Sequence, residues 1–361
     1  MVNANVPRKQ FRGLQALRFI AAASVVVHHS LFYAHERLDS SVHVWGIGAV
    51  ELFFTISGFV AVVATRIFQQ HPDGWRYFLV RRGTRILPMY WIATTVKLAI
   101  LILVPAAVLH AELNWGDVAL SYLVLPSVNV DGDIAPLLGV AWTLLYETFF
   151  IGLFALSLAM RWRPILLTGI LLSGCTLASL LRPADFGPFL VYFSPMLIYY
   201  ILGLVIGTFA RQRRPLMLAA GLAWVYALHF AVQPQRLDSL IRITVIALLM
   251  LTVALAERHL ERWLPSRIVE LGDASYSLYL FHPLVAPVVP AAFAIIGFRV
   301  GWVAVAGSVV LAIVAGFLIY RWVEAPITRR LQKSVPWAAS PPVPKEPSAA
   351  GSSLSGGKPL H

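Results

Sequence analysis

The stretch RFIAAASVVVHHS, from Arg18 to Ser30, sets a permanent cation and two adjacent imidazoles in an otherwise apolar run. On a helix, Arg18 and His29 fall within about 20° of a common line and roughly 16 Å apart along the axis. Both side chains therefore point the same way, whereas His28 lies well round from Arg18. An ionisable group in a lipid-embedded helix is costly and ordinarily faces the bundle interior or a wet cavity. A neutral imidazole is the side chain best suited to take and return a proton near neutral pH, so His29 is the candidate general base. An interhelical hydrogen bond without catalysis is the competing role for either histidine.

Other polar groups interrupt apolar runs in a chemically suggestive way. ELFFTISGF (51–59) carries Glu51 and Ser57, with Gly58 suited to close helix packing. In RRGTRILPMYW (81–91), Arg82 and Arg85 share a helix face and form a fork of donors suited to phosphate oxygens. Arg81 reads as an ordinary cytoplasmic anchor. GVAWTLLYETFF (139–150) buries Glu147, which must be paired, protonated or hydrated; it is either an arginine partner or part of a site. In LGDASYSLYLFHPLV (271–285), Asp273 is placed to cap a helix. Ser275, Tyr279 and His282 then form one polar stripe at i, i+4 and i+7. Glu324, in RWVEAPITRR (321–330), reads as the partner of a neighbouring arginine.

The elements that position these groups are set by composition. Of 361 residues, 58% are hydrophobic and 13% charged, against roughly a quarter charged in globular domains. The chain is therefore all-α and polytopic, with about ten membrane helices near 14–34, 46–65, 86–108, 137–160, 164–181, 190–210, 215–232, 239–256, 271–295 and 300–320. Arg18 interrupts the first run, which excludes a secretory signal. The net charge of +12 has no soluble domain to carry a nucleic-acid surface and reads as topology. Lys and Arg gather at 8–12, 66–85, 161–163, 211–214, 258–267 and 321–333, alternating with connections that are mixed or acidic, so both termini are expected in the cytoplasm. The single cysteine, Cys175, can form no intrachain disulfide and reads as a small buried hydrophobe. Residues 1–11 are expected to form a cytoplasmic segment, 12–333 the membrane domain, and 334–361, rich in Pro, Ser and Gly, a disordered tail. No metal is expected, because the histidines lack a ligand cluster.

LQALRFIAAASVVVHH, GAVELFFTISGFV, FLVRRGTRILPMYW, LLGVAWTLLYETFF, LGDASYSLYLFHPL and RWVEAPITRRL follow one another in an order and spacing that resemble the membrane-bound acyltransferase 3 family. The likeness covers roughly 12–333 and is greatest to the branch that acylates bacterial exopolysaccharides. It implies a multi-pass inner-membrane O-acetyltransferase with no bound cofactor. Its co-substrate would be cytoplasmic acetyl-CoA or another short acyl-CoA, and its acceptor a saccharide at or beyond the membrane. The lipid bilayer and the polysaccharide synthesis machinery are the partners implied. The family's arginine–ten residues–histidine pattern falls on Arg18 and His29, its arginine-x-x-arginine element on Arg82 and Arg85, and its tryptophan-to-glutamate element on Trp142 and Glu147. On this resemblance His29 and Glu147 are catalytic, and Arg82, Arg85 and Arg18 receive the acyl donor. Ser57, Trp142, Ser275, Tyr279 and His282 bind the acceptor or orient the imidazole. Many members carry an aspartate where this chain has Gln15 or Ala16, which leaves open how His29 is oriented. A saccharide or lipid-linked-intermediate transporter without acyl transfer is the alternative, although no internal repeat is evident.

Overall fold

In lipid every backbone amide and carbonyl must find its partner inside the segment, so apolar runs of this length fold as helices. A computed structural model describes residues 11–46, 49–108, 111–183 and 185–339. Most of the expected N-terminal segment, and the tail beyond 339, lie outside the described residues. The helices are α1 (Arg12–Arg37), α2 (Ala49–Gln69), α3 (Gly74–Leu103), α4 (Trp115–Tyr122), α5 (Trp142–Ala159), α6 (Pro164–Ala178) and α7 (Leu197–Gln212). They continue with α8 (Pro215–Val232), α9 (Leu237–Trp263), α10 (Ser266–Asp273), α11 (Ser275–Val285), α12 (Val288–Ile295), α13 (Gly301–Ile319) and α14 (Ala325–Ser334). Among the described residues nine helical segments are long and apolar enough to cross a bilayer, and the shorter apolar stretch Ala49–Val63 stands in the place of a tenth. No strand is present there, only an isolated bridge between Val128 and Ile134. The all-α polytopic expectation holds.

Several boundaries moved for physical reasons. The third membrane helix was expected from position 86 but begins at Gly74, so Arg82 and Arg85 sit two to three turns inside it rather than at its mouth. Their charges depress the hydropathy of the first turns, which hides the helix start in the sequence. The expected 271–295 element is three pieces, α10, α11 and α12. α13 passes through a π-helical turn, Tyr320–Glu324, into α14. Proline at the first helical position starts α6 and α8, where its missing amide hydrogen costs nothing.

Glycine decides which helices approach most closely. A Cβ added at Gly58 of α2 would stand 2.3 Å from the Tyr200 carbonyl oxygen, and one at Gly203 of α7 would stand 2.1 Å from that of Thr55. Gly203 and Gly207 form the small-xxx-small pattern that lets membrane helices touch backbone to backbone. The close-packing role expected of Gly58 is realised, with α7 as its partner. Gly272 does the same for α10 against α1, where a Cβ would lie 2.1 Å from the Gln15 carbonyl oxygen. Gly203→Val should lower the thermal unfolding temperature in detergent markedly, as overpacking costs about 1–3 kcal/mol or more. Gly152→Ala, with nothing within 4 Å of the added methyl group, should be neutral in the same assay.

Candidate active site

α2, α3, α5 and α7 converge on one carboxylate. Glu147 Oε1 accepts from Ser57 Oγ at 3.0 Å, and Glu147 Oε2 accepts from Tyr200 Oη at 3.1 Å. Arg82 Nη1 lies 3.5 Å from Oε1, and its guanidinium stands 5.6 Å from the centre of the Phe78 ring. Of the two roles open to Glu147, arginine partner and site member, the structure supplies both. Tyr200 was not among the sequence candidates. It stacks on Phe54 and Phe150, with ring centroids at 4.8 and 4.5 Å. The tyrosine pair Tyr199–Tyr200 in the otherwise aliphatic run that leads to Gly203 is the available signal.

A cavity of about 260 Å³ opens beside this carboxylate. Arg18, Arg82, Arg85, Ser57, Glu147, Ser275 and Tyr279 line it, bringing seven of the sequence candidates together. Among the described residues the Arg85 side chain has no hydrogen bond or ion pair. Arg18 Nη1 donates to Gln15 Oε1 at 3.1 Å, and Gln15 Nε2 donates to Asp273 Oδ1 at 2.7 Å. Asp273 is thus not the cap expected of it. It ends α10, no side chain caps α11, and its carboxylate instead orients Arg18 through an amide. Ser275 Oγ is buried without a partner.

His29 and His282 lie beyond the Tyr279 ring. Tyr279 lines the cavity, donates to the Val140 carbonyl oxygen at 2.7 Å and is 2.8 Å from Thr143 Oγ1. Its ring centroid is 5.9 Å from that of His282, which is 4.9 Å from that of His29. Trp142 also stands outside the cavity lining, packed edge-on against Tyr146 at 5.9 Å. His28 turns away, its Nδ1 2.9 Å from the Trp45 carbonyl oxygen.

Backbone carbonyls set both imidazole tautomers. His29 Nδ1 is 3.0 Å from the Val25 carbonyl oxygen, and His282 Nδ1 is 2.6 Å from that of Tyr279. A carbonyl only accepts, so each Nδ1 carries the hydrogen and each Nε2 is left as an acceptor. Pro283 explains the shorter bond. Lacking an amide hydrogen, it cannot close the helical bond to Tyr279 four residues earlier, and the His282 ring takes that oxygen. His282 Nε2 is buried without a partner.

Of two further carboxylates, Glu324 departs from expectation and Glu51 finds its partner on α9. Glu324 pairs with no arginine within 4 Å among the described residues; Ser277 Oγ donates to it at 2.6 Å, while Arg321 reaches Glu270 at 3.4 Å. The π-helical turn rotates Glu324 inward, a feature no hydropathy pattern signals. Glu51 pairs with Arg242 at 2.7 Å, a partner whose position in the first turns of α9 is readable from its interruption of an apolar run.

Glu147→Ala should strip Arg82 of its counter-charge and cost about 3–5 kcal/mol, read as lost thermal stability in detergent. Ser57→Ala should cost about 1 kcal/mol, and the Arg82→Met/Glu147→Leu double variant should recover much of the single-variant loss.

The Acyltransferase domain of the acyltransferase 3 family matches residues 11–321. The Exopolysaccharide production protein ExoZ of Rhizobium meliloti (strain 1021) is 32% identical over 321 residues, covering 83% of this chain and 95% of the relative. The Acyltransferase MdmB of Streptomyces mycarofaciens is 26% identical over 371 residues, covering 91% of this chain and 94% of the relative. No solved structure is a significant match. With nearly the whole membrane domain matched, the chain belongs to the acyltransferase 3 family and is a membrane acyltransferase.

Proposed function

We propose that this acyltransferase moves an acetyl or other short acyl group from cytoplasmic acyl-CoA to a hydroxyl of an extracytoplasmic or lipid-linked saccharide, a surface polysaccharide or exopolysaccharide. The observation that carries the reading is one cavity holding three arginines against one carboxylate, with two imidazoles behind it. A cavity with that excess of positive charge suits a donor bearing several phosphates. The name of the Rhizobium meliloti relative supports a polysaccharide acceptor. In this reading the protein sits in the bacterial inner membrane with both termini in the cytoplasm, as the distribution of Lys and Arg implies.

The arginines divide the work. Arg82 is engaged by Glu147, so Arg85 and Arg18 receive the donor's phosphates. Glu147, with both oxygens already accepting, holds Arg82 and the walls of the cavity and takes no proton itself. The acyl end advances toward the imidazoles as the Tyr279 hydroxyl leaves Val140 and Thr143. His29 Nε2 then takes the proton of the sugar hydroxyl, whose oxygen attacks the thioester carbonyl. As the tetrahedral intermediate collapses the C–S bond breaks, and the imidazolium returns its proton to the departing CoA sulfur. Ser275 Oγ and His282 Nε2, buried and unpartnered, are the groups left to meet the acceptor or the reacting oxygen.

Purified protein supplied with acetyl-CoA and a matching saccharide should release CoA thiol. His29→Ala should reduce the rate by about 10²–10⁴-fold at unchanged thermal stability. A folded His29→Ala protein with full activity would end the assignment. Arg85→Ala should raise KM for the thioester by about 10- to 100-fold, the loss of one charge-assisted bond, with a smaller change in kcat. A quenched single turnover with labelled acetyl-CoA should leave no label on the protein. Label retained at His29 would replace the base route with a covalent one.

A further inference from the structure

A second and larger hollow lies away from the cavity described above and shares none of its lining residues. It is a groove of about 1040 Å³ between α6, α7 and α8. Its α6 wall sets Gly169, Ser173 and Gly174 among larger aliphatic side chains, and a Cβ at Gly169 or Gly174 would meet nothing within 4 Å. Trp224 of α8 reaches across to α6, its Nε1 donating to Ser173 Oγ at 3.0 Å. α7 therefore has two working faces: Tyr200, Gly203 and Gly207 meet α2, while Ile201, Leu204 and Thr208 line the groove.

The charge is confined to one end. Arg163 lies in the turn before α6, Arg211 in the last turn of α7 and Arg214 in the turn between α7 and α8, and no aspartate or glutamate lines the groove. None of the three guanidinium groups has a hydrogen bond or ion pair among the described residues. Arg213, in the same turn, differs: it donates to the Ala254 carbonyl oxygen at 3.3 Å and stacks on Phe209. Both turns are among those that the Lys and Arg pattern assigns to the cytoplasm. An apolar groove ending in three unpaired cations complements one class of molecule in a bilayer: a hydrocarbon chain with an anionic head.

We propose that this groove is a binding site for an anionic phospholipid of the cytoplasmic leaflet. One acyl chain lies along α6 beneath Trp224, and the headgroup phosphate is received by Arg163, Arg211 and Arg214. The proposal is independent of the acyl-transfer reading.

Native mass spectrometry of the purified full-length protein, offered equal amounts of phosphatidylglycerol and phosphatidylcholine with identical chains, tests it. Phosphatidylglycerol adducts should dominate, and each arginine replaced by alanine should cost about fivefold in that preference. In R163A/R211A/R214A the two lipids should bind alike. Gly174→Phe, whose Cβ would meet nothing within 4 Å and whose ring would occupy the groove, should lower retention of the lipid while leaving the three cations in place. Glycerol phosphate without chains should not bind. Size-exclusion profiles and thermal stability should match wild type for both variants. Equal retention of the two lipids by wild-type protein, or a preference untouched by the triple variant, overturns the proposal. So does an adduct undiminished by Gly174→Phe, which would put the lipid elsewhere.

Discussion

The buried Glu147 carboxylate is the point on which four helices agree. Ser57 from α2, Arg82 from α3 and Tyr200 from α7 all address a group carried by α5. In a low-dielectric interior each of these polar groups is expensive alone, and each becomes tolerable only when the others are present. That mutual requirement fixes rotation as well as contact. If α7 turned by one residue, Tyr200 would leave the carboxylate and Gly203 would leave α2 together. The glycine contact thus sets the distance at which the hydrogen bonds form, and the hydrogen bonds set the helix faces that the glycines can use.

Charge is spread around this point unevenly. Arg82 is neutralised directly, Arg18 is steered through the neutral amide of Gln15 toward Asp273, and Arg85 is left with no close partner among the described residues. The glutamine matters here because it relays orientation without cancelling charge. An aspartate in its place would add a second negative charge and halve the excess of three arginines over one carboxylate. The cavity keeps its excess of positive charge while holding two of its three cations in defined positions.

What the sequence made legible was whatever the membrane makes costly. Arg18, Arg82, Arg85, Glu147 and the stripe of Ser275 and Tyr279 stood out because charged and polar groups are rare in apolar helices, and those residues meet in one cavity. The partners that complete them were less visible. Tyr200 differs little from the aromatic residues that fill such helices. Asp273 looked like a local cap because sequence separation hid its approach to Gln15, across the Gly272 contact. Glu324 turned inward through a π-helical insertion, which no periodicity in the sequence marks. Helix starts were misplaced where arginines belong to the interior, as at Gly74, because a window of mean hydropathy counts those charges as loop. The bond from His282 Nδ1 to the Tyr279 carbonyl oxygen is likewise unmarked by any pattern, although Pro283, which frees that oxygen, is in plain view.

That proline has an architectural consequence. The heading of the His282 ring is anchored to the main chain of its own helix rather than to any neighbouring side chain. The surrounding walls can therefore change shape and polarity over evolutionary time without unmooring it. A scaffold of this kind can have its interior repainted while the fixed ring keeps its bearing.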